Sequence, residues 1–261
     1  MKRIQNLIIN SFNHPLVNRV CVVNGLLVAG WLVSLSLPLA AHALPDFSDT
    51  GRSGNRVGGA SRRGGCAAPE YPMMPFVPLG ADYGGRTVSA QPTFWVYVPY
   101  VLDDESPVTF EINDENGNDI YRATFTPAFD AGVYGIQLPE SVELEVGTYY
   151  DWYFLVYCND PLRQEVPSFA GGWIQRVDYP SGFEADDVET MTPVDQSRLF
   201  ADNLLWYDAL TPLGQALQAN ANDPMIRSTW EELLTLPSVQ LDEFNQFPVV
   251  SCCEMSDTTN E

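Results

Sequence analysis

The chain has 261 residues but only one lysine, Lys2, and two histidines, His14 and His42. All three fall within the first 43 residues. From residue 44 onward, only carboxylates, tyrosines and cysteines remain as acid–base or nucleophilic groups. That scarcity excludes several chemistries from this stretch. A Ser-His-Asp or Cys-His nucleophile needs an imidazole to take its proton. A His-ligated zinc site needs the same ring as a ligand. A Schiff base needs a lysine amine, and so does the phosphate grip of a P-loop. Positive charge is short as well. The 218 residues that follow (261 − 43) carry 34 acids against 10 arginines (13 − 3), a formal charge of −24. Such a surface repels phosphate backbones and anionic membranes, so no nucleic-acid partner is expected.

The first 43 residues have their own pattern. Lys2 and Arg3 open the chain, and no acid occurs before Asp46. Val20 to Ala40 is nearly all apolar, interrupted by Gly25, Gly30 and Pro38, and Ala41-His42-Ala43 follows. A positive start, an apolar run and small residues at the first and third places of an A-x-A site define a secretory signal. An apolar run of about 20 residues could also span a bilayer, but Pro38 and the A-x-A site favour cleavage between Ala43 and Leu44. Cys21 lacks the small-residue context for lipidation. Residues 1–43 are therefore expected to be a signal peptide. The remainder would be exported, to the periplasm or beyond the cell, with no stable membrane association after cleavage.

Residues 44–65 are rich in glycine and serine and carry Arg52, Arg56, Arg62 and Arg63. They read as a disordered tether, with a basic arm against an anionic surface as the other reading. Residues 66–180 read as β structure. Pro92-Thr93-Phe94-Trp95-Val96-Tyr97-Val98-Pro99-Tyr100 is β-branched and aromatic between prolines. Val108–Asn113 and Ile120–Thr126 flank Asn116-Gly117, a pair that tolerates the positive φ of a tight hairpin. Val133–Leu138 and Phe169–Val177 are further strands. In Tyr149 to Cys158, alternation puts Tyr150, Trp152, Phe154, Val156 and Cys158 on one face. Leu144-x-x-Gly147-Thr148-x-Tyr150-x-Trp152 resembles the tyrosine-corner stretch of fibronectin and immunoglobulin domains. The expected fold is mainly β with a helical C-terminal region: an immunoglobulin/fibronectin-like β-sandwich followed by three to four short helices.

Residues 181–248 form that helical region. Ser181–Met191 reads as an acidic loop. Thr192-Pro193-Val194-Asp195 opens a helix, with Thr192 as cap and Pro193 at its first position. Asp208–Gln218 reads as a second helix and Asp223-Pro224 starts a third. Ser238 would cap a fourth, with Leu241 and Phe244 inward. The stretch from Tyr207 to Pro224 resembles one degenerate tetratricopeptide unit, which must pack on the sandwich or on a partner to bury its face. Residues 249–261 read as a disordered acidic tail.

Four cysteines follow residue 43, in a compartment that favours oxidation. The expected bond is Cys66–Cys158, with two separate buried thiols as the other option. Cys252 and Cys253 are adjacent and lack the further ligands of a closed zinc site. No metal or cofactor is called for. Asp114-Glu115-Asn116-Gly117-Asn118-Asp119 clusters oxygens but puts glycine at the fourth place, not the sixth that a calcium loop wants. It reads as a turn. Paired carboxylates could still serve glycoside hydrolysis, and Asp151, between Tyr150 and Trp152, is the most suggestive acid. Alternation places it opposite the apolar face. Tyr97, Tyr149, Tyr153 and Tyr157 share outer faces. Such rings can stack on sugars or anchor protein interfaces, or lie under the C-terminal helices, where burial is expected. Tyr149 and Tyr153 are the candidate ligand-facing aromatics.

Several blocks occur in order: the Pro92–Tyr100 strand, the Glu111–Phe125 hairpin, Leu144-Glu145-Val146-Gly147 with its Trp152 strand, Gly172-Trp173-Ile174-Gln175-Arg176, and Leu205-Trp206-Tyr207-Asp208-Ala209-Leu210. Together they resemble the cyanobacterial family labelled domain of unknown function 928, over roughly Cys66 to Val250. The resemblance implies an exported protein with a β domain and a helical tail, and it carries no activity or cofactor. The function expected is a non-enzymatic binding or scaffold module of the cell envelope, its partner an envelope protein or a glycan. A carbohydrate-binding module and a carboxylate-dependent hydrolase are the alternatives.

Overall fold

The alternation read in the sequence becomes two stacked sheets. A computed structural model describes residues 44–49, 66, 69–79, 84–126, 128, 130–182 and 185–250. The strands are β1 (Met74–Pro75), β2 (Gly84–Thr87), β3 (Thr93–Val98), β4 (Val108–Asp114), β5 (Asp119–Phe125), β6 (Gly132–Gln137), β7 (Tyr149–Val156), β8 (Ser168–Arg176) and β9 (Val249–Val250). The helices are α1 (Ala185–Glu189), α2 (Pro193–Asp202), α3 (Trp206–Ala219) and α4 (Pro224–Leu234). One sheet runs β1-β3-β6-β9 and the other β2-β8-β7-β4-β5. Most pairs are antiparallel; β2 with β8 and β6 with β9 are parallel.

The two sheets share an aromatic core. Phe94 of β3 meets Phe110 of β4 and Trp152 of β7 at ring distances of 5.1 and 5.2 Å. β7 alternates as expected: Tyr150, Trp152, Phe154 and Val156 are buried while Tyr149, Asp151, Tyr153 and Leu155 are half-buried. β3 does not alternate, because it is buried on both faces. Its second face carries Trp95 and Tyr97, and the helical layer covers them. Trp95 meets Trp230 of α4 at 5.8 Å. Tyr97 meets Phe247 at 4.2 Å. Gly214 in α3 is a notch for this contact, since a Cβ there would lie 2.3 Å from the Trp95 ring. The helical hairpin thus buries its face on the sandwich.

Local chemistry explains the element ends. The Thr192 hydroxyl accepts the Asp195 N–H at 3.2 Å. Asp223 accepts the N–H groups of Met225 and Ile226, so both helices start on side-chain caps followed by proline. Gly117 takes φ +80° at the hairpin. The Asp114 carboxylate accepts the N–H groups of Asn116 and Asn118 and the Asn118 amide. The Asn118 contacts lead in holding its proton affinity below the ordinary carboxylate value. The carboxylate serves its own turn. At the corner before β7, the Tyr150 hydroxyl accepts the Glu145 N–H at 2.9 Å, the back-bond of a tyrosine corner. Cys66 and Cys158 are joined, with Cα atoms 4.8 Å apart across 92 residues.

Five expectations need correction. Ser181–Met191 is not all loop: it contains α1, which the Gln196 amide ties to α2 by donating to the Val188 carbonyl at 2.9 Å. Ser238 caps no helix. Its hydroxyl accepts the Phe47 N–H at 3.2 Å, and Asp242–Gln246 is a 3-10 turn with Phe244 inward. The beginning of the 44–65 segment is docked, because Phe47 is fully buried edge-on against Trp206 at 5.1 Å. Val249 and Val250 are not tail: they pair with β6, and Gln218 donates to the Val250 carbonyl. Tyr149 and Tyr153 do not lie under the helices, which pack on β2, β3, β6 and β9. The signal expected at 1–43 with Ala43, the rest of the basic segment from residue 50 to 65, and Cys252 and Cys253 lie outside the described residues. Among those that are described, no helix is long and apolar enough to cross a membrane.

Candidate functional site

Three consecutive residues of α3 hold the helical layer to both sheets. Successive helix residues point about 100° apart, so Trp206, Tyr207 and Asp208 fan out to different elements. Trp206 donates its indole N–H to the Phe76 carbonyl at 2.8 Å, just past β1. The Tyr207 hydroxyl accepts the Trp152 indole N–H at 2.9 Å and donates to the Trp173 carbonyl at 2.8 Å. Asp208 accepts the Thr87 hydroxyl and the Val88 N–H, each at 3.1 Å, at the end of β2. Burial pushes the Tyr207 hydroxyl well above the ordinary phenol range. Burial also raises Asp208 to about 7, against the opposing pull of the Val88 and Thr87 bonds.

Asp208 forms part of the wall of a cleft of about 240 Å³ between α2, α3 and the β2–β3 connection. Gln91, Gln137, Gln196, Gln215 and Thr211 also line it, and Glu189 adds a second carboxylate from an exposed position. Among the described residues no arginine lines it. Pro212 lies inside α3 and cannot donate to the Asp208 carbonyl one turn earlier. The two oxygens of the Asp208 carboxylate each already accept a protein donor, which suits anchoring more than proton abstraction.

The second candidate is the outer face of the five-stranded sheet, which gathers the expected aromatics. Tyr149 and Tyr153 project there with Asp151 between them. Tyr149 meets the Trp173 ring at 5.6 Å, and Tyr153 meets Phe169 at 6.4 Å. Glycines in the neighbouring strands make room for these rings. A Cβ on Gly171 would fall 2.8 Å from the Tyr153 ring, and one on Gly84 would fall 2.4 Å from the Trp173 ring. On β4 and β5, Arg122 bridges Glu111 at 2.5 Å and Asp119 at 3.0 Å. Glu111 is raised chiefly by burial even though Arg122 opposes it. Tyr97 is separated from this group, on the helix-covered sheet.

The sequence reading missed Asp208 and its cleft. Its one trace was an acid in the first turn of a helix within Leu205–Leu210, and the helix dipole accounts for such an acid equally well. The buried apolar residues on either side, Trp206-Tyr207 before it and Ala209-Leu210 after it, made it look like part of a packing face.

The family description Domain of Unknown Function (DUF928) matches residues 57–249. The chain belongs to this family. The match covers α1 to α4 and, but for Val250, both sheets, including the Trp206-Tyr207-Asp208 junction. No curated protein matches the chain. Among solved structures it is similar to the C-terminal domain of wzt, at 17% identity over 50% of this chain and 92% of that one, with a TM-score of 0.29. It is also similar to the fn3 domain of human collagen alpha-1(XX), at 14% identity over 49% of this chain and 96% of that one, with a TM-score of 0.25. At those scores neither neighbour bears on what this family member binds.

Proposed function

We propose that this member of the family is an exported, non-enzymatic binding module, and that the outer face of the five-stranded sheet is its docking surface. One observation carries the reading: on the five-stranded sheet the helices pack on the edge strand β2, and otherwise on the other sheet, while Tyr149, Asp151, Tyr153 and Phe169 are half-buried. Buried rings that still present surface are suited to interface contact. The occupant is an envelope protein that presents basic side chains. The acidic composition of the chain, which has no lysine after residue 43, favours such a partner, and arginine or lysine heads sit well over tyrosine faces. The Cys66–Cys158 bond supports an oxidising compartment. The engaged carboxylate of Asp208 supports a non-catalytic role.

The test is capture of the tagged full chain from its native envelope, with mass spectrometry of what comes down. The expected result is a stoichiometric basic protein, released by raised salt and absent with the Tyr149→Ala/Tyr153→Ala variant. A chain that comes down alone, or a partner that ignores both substitutions, overturns the reading.

A further inference from the structure

We propose that the cleft between α2, α3 and the β2–β3 connection binds a single neutral sugar residue through side-chain amides. This inference is independent of the docking face. Four of the chain's ten glutamines, Gln91, Gln137, Gln196 and Gln215, line this one cleft. The Gln196 amide nitrogen is engaged by the Val188 carbonyl. The side chains of Gln91, Gln137 and Gln215 have no hydrogen-bond partner among the described residues. A primary amide offers two donors and an accepting oxygen, which matches sugar hydroxyls that both give and take protons. Phe200, Pro92 and Pro212 add apolar surface for the C–H face of a ring.

The charges narrow the ligand class. Among the described residues no arginine lines the cleft, while Asp208 and Glu189 do, so uronates and phosphorylated sugars are repelled. A cation finds little welcome at Asp208, whose two oxygens already accept from Thr87 and Val88. A neutral ligand meets neither penalty. The volume of about 240 Å³ lies below the roughly 300–1,000 Å³ of drug-sized sites, so the cleft suits one ring and not a chain. Polar groups at a partly dry wall also make stronger hydrogen bonds than they would in water.

The test titrates the full chain with glucose, galactose and N-acetylglucosamine, using saturation-transfer NMR and calorimetry. Glucuronate and glucosamine serve as charged controls. The expected result is binding of at least one neutral sugar with a Kd on the order of 1 mM and no binding of the controls. Gln137→Ala/Gln215→Ala, at two exposed positions, should weaken it about tenfold by removing two hydrogen-bonding groups, with the thermal transition unmoved. Tyr149→Ala should leave it intact. Three outcomes overturn the proposal: no neutral sugar binds, a charged control binds as well as the neutral sugars, or the glutamine variant binds like the parent.

Discussion

The two sheets deal with their second faces in different ways. In the four-stranded sheet, β3 is buried on both sides, with Trp95 and Tyr97 closed in by α3, α4 and the Asp242–Gln246 turn. In the five-stranded sheet, β7 alternates between buried and half-buried residues, and its outer aromatics rest on glycines of neighbouring strands. Both strands are rich in aromatics, so composition does not separate them. What separates them is where α3 is pinned. Trp206, Tyr207 and Asp208 fasten the helices where β1 of one sheet and β2 of the other lie, and from there the helices cover β3, β6 and β9 of the four-stranded sheet. The second face of β3 is therefore a packing face, while Tyr149 and Tyr153 on β7 keep part of their surface exposed.

The contrast predicts graded effects. Trp95→Ala removes a fully buried ring between a sheet and two helices and should cost about 3–5 kcal/mol in urea unfolding. A value below about 1 kcal/mol would mean that the helical layer is loosely held. Cys66→Ser should cost about 4 kcal/mol in the chain-entropy model for a loop of this length, with the loss reproduced by reduction of the parent. Tyr207→Phe keeps the ring but strips the Trp152 indole N–H and the Trp173 carbonyl of their shared partner. It should cost about 1–3 kcal/mol, with little change in the Tyr153 environment.

Asp208 gives a pH signature. Its folded-state proton affinity is raised from an ordinary value of 3.8 to about 7. The stability it contributes is therefore fully present below about pH 4 and is lost as pH rises through about 7. The stability difference between the parent and Asp208→Asn should shrink across that window and level off above it. A difference that is flat, or that grows with pH, would contradict burial as the dominant cause. The smallest effect is expected on the outer face of the five-stranded sheet. Tyr153→Ala should change stability by no more than about 1 kcal/mol.

Much of this was legible in the sequence because the signals were local. The hairpin at Asn116-Gly117, the caps at Thr192 and Asp223 and the back-bond of Tyr150 each depend on a few adjacent residues. What the sequence concealed was long-range. The Phe47 N–H finds the Ser238 hydroxyl 191 residues away, and Asp208 meets Val88 across 120. Periodicity told which residues of β7 face outward but not which sheet the helices would choose. That choice depends on the Gly214 notch over Trp95 and on the fan of three side chains at the start of α3. The glutamines of the cleft were unreadable for the same reason, since they come from a loop, a strand and two helices.

The claim that the outer face of the five-stranded sheet is functional and the second face of β3 structural is tested most directly with the Tyr149→Ala/Tyr153→Ala chain. Its melting temperature and its retention of the envelope partner should be measured on one preparation. The account predicts a transition within a few degrees of the parent, as for surface substitutions, and loss of the partner. A collapse of the transition would make these rings core residues, and a partner held as tightly as before would move the docking surface elsewhere. Either result contradicts the account.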